Sequence, residues 1–281
     1  MSDLKSNEDK LLKTKEHLEI LLDEGFKIVN ENRFEFNLYH SLFRRNIYGL
    51  ESINSLLNDF NSNKKFREHS ISILLRASLL DYLTTIYLLT FQLEKKHDSS
   101  LSKAYENEVN KLMSEQIRRS LMLSDYEMKI SFLDDTEYCK TIDIYREKFG
   151  NLFDSTKPID YKKPSNSLKY KAQDDLKSHV IKKRLDSFSN KMEGIHYDDV
   201  FYLYNIYSKY DHFGTTSMLF ENMNFDLVLN NFLASIFHIC EGLGFCIDLM
   251  VDETNCKSDF EKIHQQFYPH WFAVDGKVIW E

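Results

Sequence analysis

Prolines and glycines are scarce in this chain, and their scarcity limits the folds that the chain can adopt. Only 3 prolines and 8 glycines occur among its 281 residues. β-Sandwiches and β-barrels need turn residues about every 8–12 positions, so the composition argues against an all-β fold. The glycines are scattered and form neither a G-x-G-x-x-G nor a G-x-x-x-x-G-K-[ST] motif. Rossmann and P-loop nucleotide sites are therefore excluded, and an all-α fold is predicted.

Apolar residues at helical spacing predict a bundle of about eight to ten helices. Two helices, over 66–96 and 225–251, are the most apolar and are expected to be central. The other predicted helices cover 8–31, 36–60, 99–122, about 134–149, 170–193, 197–212 and 256–267. Ser100 or Ser102 is expected to cap the fourth helix, and Asp134 or Asp135 the fifth.

The sequence predicts a single helical domain over 1–281. Its parts are an N-terminal helical pair over 1–62, a core bundle over 66–251 and a C-terminal portion over 252–281. Two of the prolines fall in 151–169, which predicts a long loop inside the bundle. Near the end of the chain, Asp275-Gly276 stands between apolar runs, so a small β-hairpin is predicted over 270–280. This hairpin would pack on the helices or offer a strand edge for self-association.

The charge of the chain is acidic overall and uneven along its length. It carries 36 basic and 44 acidic residues, a net charge of −8, which disfavours general binding to polyanions. Residues 157–192 are an exception, since ten of them are basic and four are acidic. This segment either contacts phosphate groups or forms a solvated, lysine-rich helix.

Residues 71–91 are apolar and long enough to span a bilayer, but Arg76 and Asp81 lie within them. Each charge costs about 2.5–3.5 kcal/mol at a membrane centre, so we expect a buried core helix and no membrane contact. The first ten residues are polar and contain no signal-peptide apolar region. With four cysteines and no C-x-x-C pair, the chain is predicted to be cytoplasmic.

One stretch, over 197–214, combines residues that could carry chemistry. On a helix, Tyr204, Ser208 and His212 stand four apart and share one side, with Lys209 and Asp211 beside them. A histidine that titrates near neutrality, next to hydroxyl groups, can transfer protons or hold a phosphate. The alternative is a histidine that only bonds to neighbouring groups near a helix end.

Arg76 is predicted to find its partner on another helix, because its guanidinium stays charged and must be compensated. Asp81 is about 140° away around the same helix and is poorly placed for direct pairing. Candidate partners lie on the second apolar helix: His238, Glu241 and Asp248. A buried polar network of Arg76, Ser208, His212 and Glu241 would serve either catalysis or the registry of the bundle.

Neither a metal nor a cofactor is expected. His238-x-x-Glu241 and Glu261-x-x-His264 each place two possible ligands on one helix face, but such pairs arise by chance in an acidic chain with ten histidines. Cys240 and Cys246 are predicted to be core thiols.

The pattern Ser208-x-x-x-His212, preceded by tyrosines, and the earlier segment RASLLD, from Arg76 to Asp81, carry a family resemblance. They resemble a branch of the HEPN-like helical families that contains abortive-infection proteins and uncharacterised bacterial helical proteins. The resemblance covers about residues 66–250. HEPN ribonucleases use an R-x(4–6)-H motif, and this chain departs from it because no arginine stands at that distance before His212.

The resemblance implies a defence or stress protein that acts on RNA or a nucleotide phosphate without a metal. His212 would then be the acid/base residue, Arg76 and Lys209 would contact phosphate, and Ser208 and Tyr204 would orient the site. Two other functions remain open from the sequence. One is a non-catalytic interaction or regulatory module, oligomeric with itself; the other, the least favoured, is a metal-dependent helical oxidase.

Overall fold

The computed structural model describes residues 2–30, 37–61, 67–130, 134–156, 158–170, 176–188, 195–209 and 224–254, with side chains from residue 9 to residue 250. Eight α-helices make up most of this described part. They are α1 (Ser2–Val29), α2 (Leu38–Leu57), α3 (Arg67–His97), α4 (Ser102–Lys129), α5 (Asp135–Lys148), α6 (Ser178–Asp186), α7 (Tyr197–Tyr207) and α8 (Phe225–Thr254). The prediction of a mostly helical protein with two apolar helices is confirmed by α3 and α8. The helix over 256–267 and the hairpin over 270–280 lie outside the described residues.

The ends of the helices follow local capping chemistry. Asp134 accepts hydrogen bonds from the backbone N–H groups of Thr136 and Glu137, and Glu137 completes a capping box at the start of α5. The prediction of Asp134 as a cap is therefore confirmed. The prediction for α4 is wrong, because Ser102 is already helical and Asp98 caps the short 3₁₀ turn Ser99–Leu101 that precedes it.

The chain divides into two compact units, residues 1–89 with 181–281 and residues 90–180. In the first unit, α1 and α2 form an antiparallel pair, because Gly25 lies against Ile47 and His40 Nε2 lies 3.3 Å from the Ile28 carbonyl oxygen. The core of this unit is built from buried residues of α1, α2, α3, α7 and α8.

Pairs of contacts also fix the direction of the two apolar helices in the first unit. Tyr82 bonds to Glu241, and Thr85 lies 3.4 Å from the Cys246 sulfur, so α3 and α8 run in the same direction. Helix α7 contacts α8 through the hydroxyl groups of Tyr207 and Ser235, which are 3.0 Å apart.

The second unit has its own apolar core, formed by α4, α5 and the residues that follow α5. Its buried side chains are Ile117, Leu121, Tyr138, Ile142, Leu152, Phe153 and Leu168. The predicted long loop over 151–169 lies within this unit. An antiparallel bridge joins Phe153 to Leu168, and short 3₁₀ helices, Gly150–Leu152 and Pro164–Ser167, flank it. Buried Leu152 and Leu168 supply the apolar contacts that hold this loop on the unit.

Two described helices, Arg67–His97 and Phe225–Met250, are long and apolar enough to cross a membrane by length and composition alone. Within the protein, 67% and 72% of their apolar windows are buried. Core helices of a bundle show the same combination of length, apolarity and burial. The absence of membrane contact stays a prediction.

Candidate functional site

Arg76 and Tyr204 are brought together from distant parts of the sequence. The Arg76 guanidinium carbon lies 5.5 Å from the centre of the Tyr204 ring, which places a residue of α3 over a residue of α7. Both side chains are partly exposed. A guanidinium is planar and weakly hydrated, so an aromatic face suits it as a partner. The structure thus gives Arg76 a partner on another helix, and that partner is a tyrosine.

The segment after Tyr204 departs from the sequence prediction. Helix α7 ends at Tyr207, not near residue 212, and Ser208 and Lys209 form a turn. The Ser208 hydroxyl donates to the Asn205 carbonyl oxygen at 2.7 Å, a local bond by which serine competes with regular helical bonding. Lys209 is exposed. Asp211 and His212 lie outside the described residues, so their position relative to Arg76 stays a prediction.

Glu241 takes part in a second set of polar contacts, which lies between α3 and α8. The Tyr82 hydroxyl donates to Glu241 Oε2 at 2.8 Å, and His238 Nδ1 lies 3.5 Å from the same oxygen, the outer limit of a hydrogen bond. The Glu241 side chain is only 13% exposed. Burial, followed by the charge and hydrogen bond of Glu241, raises the pKa of Tyr82 well above its usual value. Tyr82 therefore stays a neutral donor at physiological pH.

A close approach of two helices places the Tyr82 ring beside Glu241. A Cβ atom at Gly242 would lie 2.7 Å from Tyr82 Cδ2, closer than a side chain tolerates. Glycine at this position leaves the space that the ring fills. Tyr82 was not among the residues predicted for the site, although a tyrosine inside an apolar helix requires a partner for its hydroxyl.

Asp81 and Arg45 form a third polar contact, between α3 and α2. Arg45 Nε lies 3.2 Å from Asp81 Oδ2, and the two side chains are 56% and 8% exposed. Burial raises the pKa of the Asp81 carboxyl to about 6, although the charge of Arg45 opposes the shift. Arg76 and Asp81 thus contact different helices, which agrees with their separation around α3. Arg45 was not among the predicted residues, and it lies on the polar side of α2.

Three of the four residues of the predicted network, all but His212, lie in the described ranges, and each makes a contact of its own. Arg76 stacks on Tyr204, Ser208 bonds within its own turn, and Glu241 bonds to Tyr82. Of the residues predicted for the site, the structure places Arg76 and Tyr204 in contact with each other. His238, offered as a partner for Arg76, contacts Glu241.

Within the described ranges, no group of three or more histidine, cysteine, aspartate or glutamate side chains is arranged to hold a metal ion. Glu261 and His264 lie outside those ranges. Cys240 and Cys246 are fully buried, as predicted, and burial raises the pKa of the Cys246 thiol to about 12. Both thiols therefore stay protonated and unreactive at neutral pH.

The basic segment over 157–192 is described only in part, and several of its cations are bound locally. Lys182 lies 2.9 Å from Asp186 and 2.8 Å from Asp198, and Lys169 donates to the Asn151 carbonyl oxygen. Lys162 and Lys163 are exposed. Phosphate contact by this segment stays a prediction.

No family model, curated protein or solved structure matches this chain. The HEPN-like resemblance therefore stays a prediction that rests on the sequence motifs.

Proposed function

We propose that the chain is a HEPN-like bacterial defence or stress protein that acts on RNA or a nucleotide phosphate. The observation that supports this function is the stack of Arg76 on Tyr204. The resemblance rests on two segments, one around Arg76 and one from Tyr204 to His212, which are far apart in the sequence. The stack joins the first segment to the start of the second.

The chemistry of these residues suits a phosphate substrate. Arg76 carries a guanidinium group, whose planar set of donors fits phosphate oxygens. The Tyr204 ring restricts the orientation of that plane. Lys209, exposed at the end of α7, supplies a second cation. In this proposal, His212 transfers the proton to or from the reacting hydroxyl group, and Ser208 and Tyr204 orient the site.

Cleavage of labelled RNA by the purified protein tests the proposal. We expect the wild-type protein to cleave RNA and His212→Ala to lose roughly 10²- to 10⁴-fold in rate. His179→Ala is the matched control, because His179 is an exposed histidine of α6. Arg76→Lys keeps the charge but loses the planar stack, so it should raise KM. Equal cleavage by the wild-type and His212→Ala proteins would remove His212 from the mechanism.

A second function is favoured by the Tyr82–Glu241 bond, which ties two helices together in a buried polar contact. In this alternative, the chain is a non-catalytic interaction or regulatory module, and its polar residues fix the registry of the bundle. It predicts that the wild-type protein does not cleave RNA and that Glu241→Gln lowers the urea midpoint. RNA cleavage that is lost in Glu241→Gln at an unchanged urea midpoint would contradict it.

A further inference from the structure

Helix α4 is apolar on two opposite sides over its C-terminal half. Ile117 and Leu121 are buried in the core of the second unit. Met122, Leu123, Tyr126 and Ile130 are 61%, 57%, 59% and 56% exposed. Ile117 and Leu121 precede Tyr126 by nine and five positions, which places them about 180° and 140° away around the helix. The four exposed side chains therefore form a separate stripe, here called the α4 stripe.

The size of the α4 stripe indicates a docking surface. Four large side chains that are each more than half exposed make an apolar patch on the order of 400 Å², a size at which patches commonly mark interaction sites. Two such patches face to face bury about twice that area. Together with the polar residues at the edges, the total buried area approaches that of the smallest specific protein interfaces, about 1,200 Å².

The charges along one edge of the stripe indicate its occupant. Asp125 and Lys129 form an ion pair along one edge of the stripe. The midpoint of this pair is position 127, one residue from the midpoint of the stripe at Tyr126. In an antiparallel arrangement about a two-fold axis near position 127, Asp125 of one copy lies opposite Lys129 of the other, twice. This edge of the stripe is therefore complementary to itself.

We propose that the α4 stripe binds the same stripe of a second copy of this chain, with the two α4 helices antiparallel. The apolar side chains form the centre of the interface, and the two Tyr126 rings meet near the axis. Asp125 and Lys129 set the direction and the register of the pair. Because the buried area is small, the dimer dissociates in the micromolar range.

Sedimentation velocity over a series of protein concentrations tests the dimer. We expect the wild-type protein to change from monomer to dimer as its concentration rises through the micromolar range, and Leu123→Glu to stay monomeric. Leu12→Glu is the matched control, because Leu12 on α1 is 55% exposed and Leu123 is 57% exposed. The control should behave as the wild type. A wild-type protein that stays monomeric, or a Leu123→Glu protein that still dimerises, would overturn the proposal.

A charge exchange tests the antiparallel register. Asp125→Lys alone and Lys129→Asp alone each place like charges opposite one another, so each variant should be monomeric. Mixed together, the two variants restore both pairs across the axis and should form a heterodimer. Failure of the mixture to associate, where the wild type dimerises, would overturn the proposed arrangement.

Discussion

Replacement of Gly242 by alanine sets two effects of opposite sign against each other. Gly242 lies inside α8, where alanine favours the helix by about 1 kcal/mol. The new Cβ atom would lie 2.7 Å from Tyr82 Cδ2 and 3.4 Å from both Tyr82 Cβ and Cγ. These atoms lie at the base of the Tyr82 side chain and at the near edge of its ring. Movement of the hydroxyl end alone therefore does not remove the clash.

The clash outweighs the gain in helix propensity. Overpacking of a filled core costs typically about 1–3 kcal/mol. The ring is also held at its far end, because the Tyr82 hydroxyl donates to Glu241 at 2.8 Å. Withdrawal of the ring would break a bond to a charged group, which contributes about 1.5–3 kcal/mol. Net of the propensity gain, overpacking alone costs up to about 2 kcal/mol, and partial loss of the bond to Glu241 adds to this cost. We therefore expect Gly242→Ala to lower the free energy of unfolding by about 1–3 kcal/mol.

Equilibrium unfolding in urea, followed by far-ultraviolet circular dichroism, measures this difference. The control is Gly150→Ala, since no atom lies within 4 Å of the position where its Cβ would stand. It should change stability by less than about 0.5 kcal/mol or increase it slightly. In a Tyr82→Leu background, Gly242→Ala should become neutral or stabilising because the ring is gone. A Gly242→Ala protein as stable as the wild type would refute the reasoning.

Three further predictions concern polar contacts. Tyr82→Phe should lower the free energy of unfolding in urea by about 1.5–3 kcal/mol, because Glu241 loses its donor; Tyr202→Phe, at an exposed tyrosine, should change it by less than about 0.5 kcal/mol. Between about pH 4 and pH 6 the folded chain keeps a proton on Asp81 that the unfolded chain has released, so wild-type stability should fall by up to about 3 kcal/mol as pH rises through this range. Urea titrations of Asp81→Asn should lack this fall, and an identical pH profile would contradict the role of Asp81. Asp134→Ala should cost the second unit about 1 kcal/mol by thermal or urea unfolding, and Asp134→Asn clearly less.

Much of the helical architecture could be predicted because apolar spacing is a local signal. The spacing of apolar residues gave α3 and α8 nearly to their ends, and Asp134 marked the start of α5. The end of α7 could not be predicted in the same way. Its apolar spacing runs on past Tyr207, whereas the Ser208 hydroxyl bonds to the Asn205 carbonyl oxygen in the turn that follows.

Only one aspect of the candidate site could be predicted from the sequence: the direction in which each side chain points around its own helix. The angle between Arg76 and Asp81 correctly indicated that they do not pair, and the position of a charged Arg76 on an apolar helix indicated a partner elsewhere. The identity of that partner depends on how α3 and α7 pack. In the same way, Glu241 was a candidate from the sequence, but its bond to Tyr82 depends on the space left by Gly242. Contacts between residues so distant in sequence have no local signal.

The first unit is assembled from two stretches of chain that are separated by the whole second unit. Tyr82 and Glu241 are 159 positions apart, so α3 leaves the ribosome well before its partner α8 is synthesised. At about 5–20 residues per second, the delay is roughly 8–30 seconds. During that time residues 90–180 can fold, whereas the apolar surface of α3 that later meets α8 stays uncovered. The order of synthesis thus creates a period in which the exposed surface of α3 makes the nascent chain prone to aggregation.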